Sequence, residues 1–79
     1  MHTRNEDKKQ MEVVGVVLKR IRLSRELTQV DVARHLRRTQ SYVAKVEQGK
    51  RRISFIDTVQ FLKIYKISPD RFILMFSKK

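Results

Sequence analysis

LTQVDVARHLRRTQSYVAKVEQGKRR, residues 27–52, is the stretch that decides the fold. Thr28 stands where a helix N-cap belongs, and Asp31 three residues later forms a near capping box and suits the positive helix end. Val32, Ala33 and Leu36 then recur at helical spacing, which predicts a short helix over about 29–36. Arg37 and Arg38 fall in the turn. Thr39 caps the next helix, predicted from Gln40 to about Gln48. Val43, Val46 and Glu47 share its inner side, while Gln40, Ser41, Ala44, Lys45 and Gln48 share the other. Gly49 ends it in the position where helices favour glycine.

The same period extends outward from this core. From Glu12 to about Glu26, Val14, Val17, Leu18 and Ile21 form one apolar face, which Val13 and Val16 widen as if the helix packed on two sides. Gly15 costs about 1 kcal/mol inside a helix, so it marks a close approach by another helix. Residues 1–10 are polar without an apolar period and are expected to be a flexible tail. Their charges nearly balance, which makes the tail a poor nucleic-acid arm. After the loop KRRIS, a fourth helix is expected from Ser54 or Phe55 to about Lys66. Its expected buried face is Phe55, Ile56, Val59 and Leu62, flanked by Phe61 and Tyr65. Ser68-Pro69-Asp70 is a clean helix start. The last helix carries more apolar residues than one buried face of a short helix can use. No segment alternates like a strand, so the chain reads as all-α. The domain proper is residues 11–79.

Composition narrows the function classes. The 79 residues carry 19 Lys and Arg against 8 Asp and Glu, a formal charge of +11. Small soluble domains typically carry a net charge of magnitude about 2–8, so the excess points to an anionic partner, most often nucleic acid. There is no Cys, which excludes disulfides, thiolate zinc sites and a Cys nucleophile. The longest apolar run, VVGVVL at 13–18, is too short to span a membrane. The polar start lacks the apolar segment of a signal peptide. A cytoplasmic protein follows. His2 and His35 lie far apart, and no metal cluster, phosphate loop or nucleophile motif is present, so no cofactor, metal or enzymatic activity is expected.

Two short helices joined by a tight turn, the second apolar inside and polar outside, form the helix-turn-helix pattern. Ala33 is small where the two helices would cross. With LTQVDVARHL, SYVAKVEQGKR and the later SPDRF, together with Gly15, Leu18 and the Ile21-Arg22 pair, the chain from about Val14 to Phe72 resembles the Xre family of DNA-binding domains, the module of the phage Cro and CI repressors. The resemblance implies a compact five-helix, lambda-repressor-like fold with the helix-turn-helix at helices 2 and 3. Arg37 departs from the glycine usual in that turn. If the position is left-handed, the departure costs about 1 kcal/mol or somewhat more. Arg38 replaces a residue that is often apolar.

In this motif the start of the second helix enters the major groove. Thr39, Gln40, Ser41, Ala44 and Lys45 are then the candidate base contacts. A Gln amide can accept from adenine N6 and donate to N7, and Lys can donate to guanine O6 and N7. Candidate backbone contacts are Gln29 at a helix N-terminus, Arg38, Tyr42, Lys50, Arg51 and Arg52. Each basic residue also has a plain reading as a solvated side chain, and Tyr42 could pack against helix 2 instead. Glu47 lies on the inner side and needs a partner if buried. The family resemblance implies Arg22; the alternative is an exposed Glu47 paired with Lys50 or Arg51. Ile73 and Leu74 are candidates for a dimer surface.

The function expected is sequence-specific binding of double-stranded DNA, as a homodimeric repressor on a near-palindromic operator. Two alternatives remain open at this stage: an antitoxin that also captures a small protein partner, and a protein-interaction module without DNA binding.

Overall fold

The computed structural model describes residues 4–76, with side chains from Lys8 onward. It has five helices: α1 (Arg4–Ser24), α2 (Gln29–Leu36), α3 (Gln40–Glu47), α4 (Phe55–Tyr65) and α5 (Pro69–Leu74). No strand occurs among the described residues.

The helix starts follow the local chemistry. Thr28 caps α2 through a full capping box: its side chain accepts from the Asp31 N–H at 3.0 Å, and its own N–H donates to Asp31 Oδ2 at 2.9 Å. Thr39, Ser54 and Ser68 cap α3, α4 and α5 in the same way, without the reciprocal carboxylate bond. Each cap satisfies a backbone donor that the helix cannot satisfy itself. The helix ends are less conventional. Glu26, Arg37 and Lys66 all adopt left-handed backbone conformations, with φ of 58°, 59° and 57°. At the α2–α3 turn, the left-handed Arg37 lets the Arg38 N–H reach the Ala33 carbonyl at 3.0 Å, closing α2.

Leu18, Val32, Val43, Val46, Phe61 and Tyr65 are fully buried, and Val17, Ile21, Ala33, Tyr42, Leu62, Ile67 and Phe72 complete the core around them. Gly15 occupies a contact that no other residue could fill. A Cβ there would come within 2.5 Å of the Val46 and Glu47 carbonyl oxygens. The backbone of α1 thus rests on the C-terminal turn of α3, as the sequence suggested. Gly49, with φ of 73°, meets the backbone of Glu12 in the same region.

Three expectations need correction. α1 starts at Arg4, so residues 4–10 are its first turns and not part of a polar tail; residues 1–3 lie outside the described residues. This segment contains good helix formers and neither Gly nor Pro, so it continues the helix without an apolar period to announce it. Val13 and Val16 remain half exposed, because α1 packs on one side only. The buried face of α4 is Phe61, Leu62 and Tyr65, whereas Phe55 is 82% exposed and Ile56 69%. Phe55 and Ile56 occupy the first turn of α4, ahead of the turns that reach the core.

Candidate nucleic-acid interface

A hydrogen-bonded chain runs from the core to the surface of α3. It starts at Glu47, whose side chain is only 2% exposed and whose partner Arg22 is 8% exposed. Arg22 Nε donates to Glu47 Oε2 at 2.7 Å and Nη2 to Oε1 at 3.1 Å, a two-point pairing of planar groups. Arg22 Nη1 donates to the Leu27 carbonyl at 2.8 Å, which fixes the α1–α2 connection to the same guanidinium. The hydrogen bond from Glu47 holds Arg22 above its ordinary pKa. Glu47 is therefore not paired with Lys50 or Arg51 on the surface.

The next link is Gln29. Its Nε2 donates to Glu47 Oε1 at 2.9 Å. Gln40 Nε2 in turn donates to Gln29 Oε1 at 2.6 Å. The direction of these bonds is forced. An ionised carboxylate only accepts, so Gln29 must turn its amide nitrogen inward and its oxygen outward. Gln40 must then present its nitrogen to Gln29. One N–H and the carbonyl oxygen of the Gln40 amide remain for a ligand. That is the donor–acceptor pair that the major-groove edge of adenine matches. The sequence reading placed Gln29 on a phosphate and missed its inward link, which only the spatial neighbourhood of three helices supplies.

The other candidate base contacts lie on the outer side of α3. Thr39, Gln40, Ser41 and Lys45 are exposed, and Ala44 is half-buried. Thr39 Oγ1 is already occupied by the Tyr42 N–H at 3.1 Å. The expected backbone contacts divide. Lys50, Arg51 and Arg52 are exposed in the loop after α3. Tyr42 is 7% exposed and stacks with Phe61, their ring centroids 6.5 Å apart. Its hydroxyl donates to Asp57 Oδ2 at 2.9 Å. Arg38 Nη2 reaches the same oxygen at 3.0 Å while its guanidinium lies 4.2 Å from the centre of the Tyr42 ring. The Arg51 guanidinium lies 5.2 Å from that ring. Burial, and then the bond to Asp57, push the Tyr42 hydroxyl above its usual pKa. Asp57 went unremarked in the sequence because an acid in a first helical turn is ordinary there.

Ile73 and Leu74 are 61% and 65% exposed on α5, and only Phe72 of that helix is buried. His35 is exposed, with its Nδ1 2.9 Å from the Asp31 carbonyl oxygen. Among the described residues no helix is long and apolar enough to cross a membrane.

The family description for the helix-turn-helix domain matches residues 13–72. The chain belongs to this family. The fold of this helix-turn-helix domain is shared by several solved structures. The restriction-modification controller protein C.AhdI from Aeromonas hydrophila is 25% identical, with a TM-score of 0.76 over 81% of this chain and 97% of that one. The controller protein C.Esp1396I, solved as a tetramer in complex with its natural 35 base-pair operator, is 26% identical with a TM-score of 0.75, over 82% of this chain and 86% of that one. The clp gene regulator ClgR from Corynebacterium glutamicum shares the fold at 19% identity, with a TM-score of 0.77 over 81% of this chain and 68% of that one. Among curated proteins the chain has no match in sequence. These neighbours agree with the Xre-type resemblance read from LTQVDVARHL and SYVAKVEQGKR.

Proposed function

We propose that this helix-turn-helix domain is a sequence-specific regulator that binds double-stranded DNA and represses transcription in the cytoplasm. α3 enters the major groove with Thr39, Gln40, Ser41, Ala44 and Lys45 toward base edges. The observation that carries this reading is the Glu47–Gln29–Gln40 chain, which gives an exposed amide one fixed orientation suited to adenine. Preorganising a polar side chain in this way lowers the cost of ordering it on binding. The charge of +11 supports the same partner. Lys50, Arg51 and Arg52, exposed after α3, border the reading face and serve the phosphate backbone.

The protein acts as a homodimer on a near-palindromic operator, with half-sites about one helical turn apart. The exposed Ile73 and Leu74 of α5 supply the dimer surface. The operator complex of the tetrameric controller protein supports both assembly and DNA as partner. The DNA-binding unit comprises α1 through α5, and the domain performs no catalysis and holds no cofactor.

Selection from a random duplex pool tests this reading. The wild-type protein should enrich a two-fold symmetric motif. Gln40→Ala should lose the preference at one base position of each half-site, worth about 1–3 kcal/mol. An unenriched wild-type pool sinks the DNA reading. Identical motifs from wild type and variant sink the role of Gln40.

A further inference from the structure

Asp57 joins three elements of the structure. Its carboxylate, in the first turn of α4, accepts both the Arg38 guanidinium from the α2–α3 turn and the Tyr42 hydroxyl from α3. Arg38 lies over the Tyr42 ring at 4.2 Å, and Arg51 from the following loop approaches the same ring at 5.2 Å. The Arg38 and Asp57 side chains are 39% and 27% exposed, so the cluster sits at the surface within reach of a ligand.

Two consequences follow from the chemistry of these groups. A phenol carries one proton, and Tyr42 gives it to a carboxylate that can only accept. Toward a phosphate oxygen, also an acceptor, the Tyr42 hydroxyl then has nothing to donate. Arg38 is likewise half neutralised. Its positive charge faces a carboxylate 3.0 Å away, and releasing condensed cations from DNA requires charge that is not already compensated.

We infer that Asp57 is a positioning residue that restrains DNA binding: it holds Arg38 and Tyr42 off the phosphate backbone and so lowers affinity for duplexes of any sequence. The inference rests on the DNA-binding reading above. It assigns to Asp57 a role in setting overall affinity and not sequence preference, because backbone contacts position the protein without reading bases. Its first-turn position on α4, with its N–H donated to the Ser54 cap at 3.0 Å, accounts for helix stability alone and predicts nothing about DNA.

Asp57→Asn separates the two. Asparagine keeps an oxygen acceptor and the volume of the side chain but removes the charge. Affinity for a duplex without the selected motif should be measured for wild type and variant across a salt series, with thermal melts of both in the absence of DNA. The slope of log affinity against log salt should steepen by about 0.9, the contribution of one further phosphate contact. At 0.1 M salt that corresponds to roughly eightfold tighter binding, if affinity at 1 M is unchanged. The preference for the selected motif over this duplex should stay unchanged, because a backbone contact strengthens both alike. Adding Arg38→Ala to the variant should return the slope to the wild-type value.

A slope that stays the same or becomes shallower overturns the inference. So does a lowered melting temperature with an unchanged slope, which leaves Asp57 as a helix-stabilising acid. Asp57→Ser, a second uncharged variant, must give the same slope change as Asp57→Asn. If the wild-type protein shows no salt-dependent duplex binding, the DNA reading itself has failed, and that result is distinct from an unchanged slope in the variant.

Discussion

Removing Arg22 should destabilise the domain far more than removing the ion pair as a whole. In Arg22→Ala, Glu47 loses two donors at 2.7 and 3.1 Å and keeps only Gln29 Nε2. The carboxylate stays in the core with its charge uncompensated, which costs about 3–5 kcal/mol for a pair this buried. A domain of 79 residues has a total stability of roughly 4–12 kcal/mol, so a quarter or more of it would be lost. For this size each kcal/mol shifts the melting temperature by about 4–8 °C, giving a fall of roughly 12–40 °C. Replacing both partners, Arg22→Met with Glu47→Met, removes the charges together and should restore stability to near the wild-type level or above. The double variant should nonetheless read DNA poorly. Gln29 would have no carboxylate to orient it, and Gln40 would be free to present either end of its amide. Thermal unfolding followed by circular dichroism, paired with affinity for the selected operator, measures both effects. An Arg22→Ala melting temperature within a few degrees of wild type would refute the energetic argument. Full operator specificity in the double variant would refute the relay.

Three further substitutions probe separate features. Arg37→Gly relieves a left-handed residue at φ 59° and should stabilise the domain by about 0.5–1 kcal/mol, after allowing for the greater freedom of glycine in the unfolded chain; a lower melting temperature would contradict this. Tyr65→Phe deletes a buried hydroxyl without a hydrogen-bond partner among the described residues, and thermal melts should show a gain of about 1 kcal/mol, while a loss would mean the hydroxyl is satisfied. Asp31 lies below the usual carboxylate range because it accepts first from the Thr28 backbone N–H and then interacts with the Thr28 side chain. Its folded pKa is depressed, so its stabilisation is present above the ordinary Asp value near pH 4 and disappears as pH falls through the lower folded value. Asp31→Asn should be less stable than wild type at neutral pH, with the gap closing in acid; a gap independent of pH would exclude that linkage.

Local signals made much of this domain readable in advance. Caps at Thr28, Thr39, Ser54 and Ser68 act within one turn, so their chemistry is written in adjacent residues. Gly15 was legible for a related reason: a helix-breaking residue in a strong apolar period needs a compensating contact. The face of α4 was not legible. Phe55, Ile56, Val59, Phe61, Leu62, Ile64 and Tyr65 place apolar groups on nearly every side of it, and periodicity cannot choose among them. The approach of α2, α1 and α5 does so. The start of α1 escaped because residues 4–10 carry no apolar stripe. Gln29 and Asp57 were hidden by distance. Their partners Glu47, Gln40, Tyr42 and Arg38 lie 11 to 19 residues away, and hydrogen-bond direction emerges only when three or four elements meet.

The contact at Gly15 has a consequence for how this domain can change. Side chains elsewhere in the core set spacing through their volumes, and a substitution there shifts neighbours by fractions of an ångström. Between α1 and the end of α3, main chain touches main chain, so no side-chain volume sets that distance. The tilt of the reading helix is anchored at a point that core drift cannot inflate. Residues such as Ser41, Ala44 and Lys45 can therefore be exchanged for others while the helix keeps its pose. New target preferences become accessible one base position at a time, with the scaffold held constant by a residue that has no side chain to vary.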